Sequence, residues 1–155
     1  MQKRTRQLAP LLFLLLLVPL LSGCPKDPYT AAMAASLDIS NGVNDGLTVI
    51  TQLEQDKLIT QIETAKLATY LGNVTTLNGT FRTAVRSIHS ANASSTKAAY
   101  IPAAQAFVTA ASDPQTLAAL HVVNPTADAK VQAVLTAINT ALNGIQLAIN
   151  SAKGA

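Results

Sequence analysis

The chain has no tryptophan and a single cysteine, Cys24, in 155 residues. One cysteine cannot make a disulfide framework, even in an oxidising compartment, so stability has to come from packing. Aromatic residues are also scarce: past residue 23 there are only Tyr29, Tyr70, Tyr100, Phe81 and Phe107. Sugar-processing sites lean on exposed aromatics and a facing pair of carboxylates. Here the acids beyond residue 29 are scattered, at Asp38, Asp45, Glu54, Asp56, Glu63, Asp113 and Asp128, which argues against carbohydrate chemistry. His89 and His121 are the only histidines, and neither a His-x-x-x-His nor a Glu-x-x-His spacing occurs. Zinc sites require three or four ligands at compatible spacing, so no metal is expected. Phosphate-cradling glycine loops and a nucleophile elbow are missing as well. No residue is assigned a catalytic role, no cofactor is implied, and the chain is expected not to be an enzyme.

A long hydrophobic run is also lacking. Lys3, Arg4 and Arg6 are followed by the apolar stretch from Leu8 to Leu21, interrupted by Pro10 and Pro19. A spanning helix needs about 20 apolar residues, and proline lacks the N–H that a continuous helix uses. A basic start, a short apolar core and small residues before a cut site are instead the marks of a secretory signal peptide.

The end of that stretch, Leu21-Ser22-Gly23-Cys24, resembles the lipobox of bacterial lipoproteins: an aliphatic residue, two small residues and a cysteine. The resemblance covers residues 1–24 and implies nothing about the fold that follows. It implies cleavage between Gly23 and Cys24, a diacylglycerol thioether on Cys24 and acylation of the new amine. One acyl chain holds a protein only reversibly, whereas two or three on one residue anchor it durably. Pro25-Lys26-Asp27-Pro28 is then a short, stiff tether. Within the lipoprotein pattern, proline after the cysteine, in place of aspartate, favours the outer membrane, facing the periplasm. Residues 1–23 are thus read as signal peptide, 24–29 as anchored tether and 30–155 as one domain.

Removing the signal changes the charge. The whole chain carries +3, but Lys3, Arg4 and Arg6 leave, and the eight remaining basic residues balance the eight acidic ones. The mature chain is formally neutral, so a basic pI gives no argument for nucleic acid. What remains is rich in alanine, threonine and asparagine, long enough for one core and too short to expect two.

Helical periodicity organises this part. A first helix is expected from about Thr30 to Gln55, its apolar face marked by Met33, Leu37, Val43, Leu47, Ile50 and Leu53. Asn41-Gly42-Val43-Asn44-Asp45-Gly46 contains turn signals. The alternatives are a break there, or a continuous helix whose Gly42 and Gly46 admit a neighbour; continuity is preferred because no strand pattern flanks the segment. A calcium loop is excluded, since counting from Asp38 puts valine at the glycine position and no glutamate closes the loop. Thr60-Gln61-Ile62-Glu63 is a capping box. It opens a second helix from about Gln61 to Ala91, with Leu67, Leu71, Val74, Phe81, Val85 and Ile88 on one stripe. Gly72 and Gly79 on this helix are read as close-packing positions in preference to a ligand groove.

Asn92-Ala93-Ser94-Ser95 reads as a turn. A less regular segment follows from Thr96 to Ser112, with Pro102 either kinking it or opening it. Asp113-Pro114 starts a short helix to about His121, and Asn124-Pro125 starts the last, to about Ala152. In that helix Val131, Leu135, Ile138, Leu142, Ile145 and Ile149 form the stripe. Ala133, Ala137, Ala141, Gly144 and Ala148 form a small-residue seam suited to close packing. Short connections imply antiparallel neighbours. The expected fold is all-α: an antiparallel up-down helical bundle of three long helices plus a broken, Pro-interrupted segment.

One cluster stands out. Arg82, Arg86 and His89 fall at i, i+4 and i+7, beside the apolar face of the second helix. They could contact an anion or a partner, although a solvated helix flank is the plainer and weightier reading. Asn73-Val74-Thr75, Asn78-Gly79-Thr80 and Asn92-Ala93-Ser94 match glycosylation acceptors, but a bacterial context makes these chance matches. The function expected is a non-enzymatic structural or protein-interaction module of the bacterial envelope. It is held at the membrane through diacylglycerol on Cys24, with a protein partner and no nucleic acid. The alternative is a carrier of a small hydrophobic ligand in the bundle interior.

Overall fold

The computed structural model describes residues 27–91 and 97–151. The expected signal peptide, Leu21-Ser22-Gly23-Cys24 and the expected turn at Asn92–Ser95 lie outside the described residues. So does the expected end of the last helix at Ala152. The described residues are all-helical, with no strand among them: α1 (Pro28–Gln55), α2 (Gln61–Ala91), α3 (Lys97–Ala111), the short α4 (Pro114–Ala118) and α5 (Pro125–Ser151).

Local chemistry explains the boundaries. α1 opens at Pro28 because Asp27 is an extended N-cap whose carboxylate accepts from the Thr30 N–H at 2.9 Å, with proline at the first helical position. Two residues assigned to the tether, Pro28 and Tyr29, therefore belong to the helix. The helix ends where Lys57 adopts a left-handed φ of 56° and the Leu58 N–H reaches back to the Leu53 carbonyl at 2.9 Å. That six-to-one bond is the Schellman way of satisfying a terminal carbonyl. In the capping box before α2, the Thr60 N–H donates to Glu63 Oε2 at 2.7 Å, and the Glu63 N–H donates to Thr60 Oγ1 at 3.2 Å. Asp113 caps α4 through the Thr116 N–H, and Asn124 Oδ1 accepts from the N–H groups of Thr126 and Ala127.

Of the two alternatives for Pro102, the structure has the interior one: it lies inside α3, which removes one i→i−4 bond to the Ala98 carbonyl. One boundary differs from the sequence reading. α4 ends at Ala118, short of His121. α1 runs unbroken through Gly42 and Gly46, as preferred.

α1 packs most extensively against α5 and α2, and α3 packs against α2 and α5. The expected stripes of α2 and α5 lie in the core: Leu67, Leu71, Val74, Phe81 and Val85, and Val131 to Ile149. Full burial of each such side chain contributes about 1.5–3 kcal/mol. The face of α1 is a correction. Leu37 and Leu47 point outward, and the buried row is Ala32, Ala35, Ser36, Ile39, Val43, Gly46, Ile50 and Leu53. Large residues mark only part of that face; small ones occupy much of it, because α1 meets two long helices.

The glycines divide accordingly. A Cβ on Gly46 would sit 2.9 Å from Val134 Cγ1 and 3.2 Å from a Leu71 methyl, so both neighbours depend on its absence. Gly72, Gly79 and Gly144 have nothing within 4 Å of that position. The close-packing role expected for Gly72 and Gly79, and for Gly144 in the α5 seam, is therefore overturned; Gly72 and Gly79 lie on the exposed side of α2.

Candidate functional site

Of the residues singled out from sequence, Gly23 and Cys24 lie outside the described residues, whereas Arg82, Arg86 and His89 do share one flank of α2. Val85, between them in sequence, is fully buried, and its packing turns the flank outward. Arg82 is half-buried, and Arg86 and His89 are exposed. Among the described residues neither arginine has an ion-pair partner.

Sequence reasoning missed what stands against this flank. The His89 ring stacks on Tyr29, with centroids 4.0 Å apart and planes inclined by 19°. Tyr29 is the second residue of α1, so the last turns of α2 lie beside the start of α1. Asp27 is close by. Its carboxyl is held below the ordinary range, mainly by the Thr30 N–H and hydroxyl, with a smaller contribution from the charge of His89. Nothing in the spacing of α2 could have located Tyr29, because the contact joins residues 60 positions apart.

Two further polar groupings hold the fold together. Ser36 and Asn78 are buried between α1 and α2: the Ser36 hydroxyl donates to Asn78 Oδ1 at 2.7 Å. Asn78 Nδ2 in turn donates to the Ser36 carbonyl at 2.9 Å and the Ser40 hydroxyl at 3.0 Å. In the sequence Asn78 stands out only as part of a glycosylation-acceptor match. At the opposite end, Asp128 accepts from the Val122 N–H at 3.1 Å and lies 3.1 Å from His121 Nδ1. Glu63 reaches from the capping box to accept from the Val123 N–H at 2.7 Å. These carboxylates secure the loop ahead of α5.

Among the described residues no three of His, Cys, Asp and Glu converge as metal ligands, and no helix is long and apolar enough to cross a membrane. A void lined by Val49, Ile50, Leu67, Leu71, Val131 and Val134 has a volume of about 10 Å³. That is room for one water at most, so the carrier alternative has no cavity to rest on there. No known protein family, curated protein or solved structure matches the chain.

The capping carboxylates make a pH prediction. Asp27, Glu63, Asp113 and Asp128 all lie below the ordinary range, through hydrogen bonds led by the Thr30 N–H, the Thr60 N–H, the Thr116 hydroxyl and the Val122 N–H respectively. A lowered folded-state pKa contributes stability above the unfolded value, which is lost as pH falls through the folded one. Asp38, raised by desolvation, works in the opposite sense. The urea midpoint should be flat near neutrality and fall as pH drops below about 4. A midpoint rising with acid would contradict the capping assignments.

Proposed function

We propose that the chain is a lipid-anchored lipoprotein of the bacterial envelope. Its helical domain serves there, without catalysis, as a structural or protein-interaction module. The observation that carries this reading is Leu21-Ser22-Gly23-Cys24, placed after a basic start and an apolar run too short to span a bilayer. The anchor is diacylglycerol on Cys24, and the domain lies on the extracytoplasmic side, with the outer membrane favoured by Pro25.

The domain is proposed to be an antiparallel up-down bundle. Tyr29 meets His89, Ser36 meets Asn78 and Gly46 meets Leu71, so partners descend α2 as α1 ascends. Gly42 with Ile138 and Gly46 with Val134 do the same for α5. Phe81 with Phe107 and Tyr70 with Ala111 do so between α2 and α3. These pairings support the topology that short connections predict.

Cys24→Ser tests the anchor. Fractionation of cells should find the variant in soluble or unprocessed form, whereas the parent chain stays with membranes. A variant that is processed normally and remains in the membrane fraction would sink the lipidation reading. In-cell cross-linking followed by mass spectrometry tests the module, with an envelope protein as the expected capture.

A further inference from the structure

We propose that the Arg82–Arg86–His89 flank is a membrane-facing surface that docks on anionic phospholipid headgroups and so sets how the helical domain stands on the bilayer. This inference rests on the lipid anchor at Cys24.

The Tyr29–His89 stack carries the argument, because it puts the flank at the end of the domain from which the anchor leaves. Asp27 is three residues from Cys24, so the connecting chain spans at most about 11 Å. Arg86 and Arg82 lie about 4.5 and 10.5 Å back along α2 from His89, at 1.5 Å per residue. An anchored domain therefore cannot carry this flank far from the headgroups, and it starts within about one to two Debye lengths of them at physiological salt.

The charges of the mature chain, neutral in sum, are unevenly placed. Arg82 and Arg86 sit at the anchor end, and in the sequence Lys26 precedes Asp27. Two acids share that half: Asp27, which is engaged in capping α1, and Asp38, eleven residues farther along the chain. Most of the acids lie at the other end, where they outnumber Lys57, Lys66 and Lys130: Glu54 and Asp56 where α1 finishes, Glu63 where α2 starts, Asp113 before α4 and Asp128 in the first turn of α5. An electrically polarised body tethered at its positive end lowers its energy by turning that end toward a negative surface. The arginines have no ion-pair partner to give up among the described residues, and their guanidinium forks suit phosphate oxygens.

The test uses the lipidated protein, purified in detergent and returned to vesicles. Once Cys24 is acylated the chain has no free thiol, so Ser87→Cys, beside Arg86, takes a single fluorophore; Gln55→Cys, at the far end of α1, is the control. Quenching by a nitroxide-headgroup lipid is compared in phosphatidylcholine vesicles and in vesicles with one lipid in three replaced by phosphatidylglycerol. Quenching at position 87 should be stronger with phosphatidylglycerol and weaken in high salt, while position 55 responds little. Each cation near an anionic surface is worth roughly a fivefold factor, so R82Q/R86Q should lower the docked-to-free ratio about 25-fold. R82K/R86K should retain docking, which separates charge from the packing of the half-buried Arg82. Equal quenching in both vesicles, or quenching indifferent to R82Q/R86Q, overturns the proposal and leaves the anchor standing. Protein that floats with neither vesicle overturns the anchor and this inference together.

Discussion

Asn78→Ala is expected to lower the unfolding free energy by about 2–4 kcal/mol, read as a drop in denaturant midpoint without a change in slope. The substitution removes the acceptor of the Ser36 hydroxyl and the donor to the Ser36 carbonyl and Ser40 hydroxyl. Ser36 is fully buried, so water cannot restore what is lost. A buried donor left without a partner costs about 1–3 kcal/mol, and the lost side-chain volume adds to that. The control is S36A/N78L, which replaces both partners by apolar groups of similar shape and should come close to neutral. The coupling between the two positions is then obtained from a double-mutant cycle completed by S36A and N78L as single variants. Additive effects at Ser36 and Asn78 would show that the bond between them is not what stabilises the α1–α2 contact.

Gly46→Ala should destabilise by about 1–2 kcal/mol, although alanine is the better helix former by about 1 kcal/mol. Its Cβ would lie 2.9 Å from Val134 Cγ1 and 3.2 Å from Leu71 Cδ1. Valine in a helix is nearly confined to one rotamer, so relief requires α5 or α1 to move. Val134→Ala in the same chain should recover part of the loss by opening that space. The same substitution at Gly72 or Gly79 should do the opposite. Each has open space around the added methyl, so alanine there should stabilise by about 0.5–1 kcal/mol through helix propensity alone. Gly42→Ala, with Ile138 Cγ1 at an ordinary 3.6 Å, falls between these cases. Chemical denaturation of this series separates packing from propensity, since every member is the same change in a helix. A uniform gain in stability, Gly46 included, would mean that α1 and α5 are not held at the distance described.

The glycines also show where sequence reading stops. Helix content, the caps at Thr60, Asp113 and Asn124, and the stripes of α2 and α5 depend on residues within about one to two helical turns of each other. Periodicity and capping chemistry were therefore enough to find them. The face of α1 was misjudged because its buried row runs through alanine, serine and glycine, which carry little hydropathy signal. Gly46 and Gly72 look alike in sequence; one faces α2 and α5 and the other faces solvent.

The candidate flank divides in the same way. The spacing of Arg82, Arg86 and His89 on one side of a helix follows from 3.6 residues per turn. Their position at the end where α1 begins depends on His89 meeting Tyr29 across the fold, a contact no local pattern encodes. By itself, then, the sequence determined that the described chain is helical and where most of its helices begin, and it carries the lipobox-like tetrapeptide from which a place in the envelope is proposed. Only the tertiary structure decided which glycine packs against its neighbours, that Asn78 closes a buried polar bridge, and which end of a formally neutral domain carries Arg82 and Arg86. Helix and cap are set by neighbours along the chain, whereas burial and the placement of charge are set by neighbours across it.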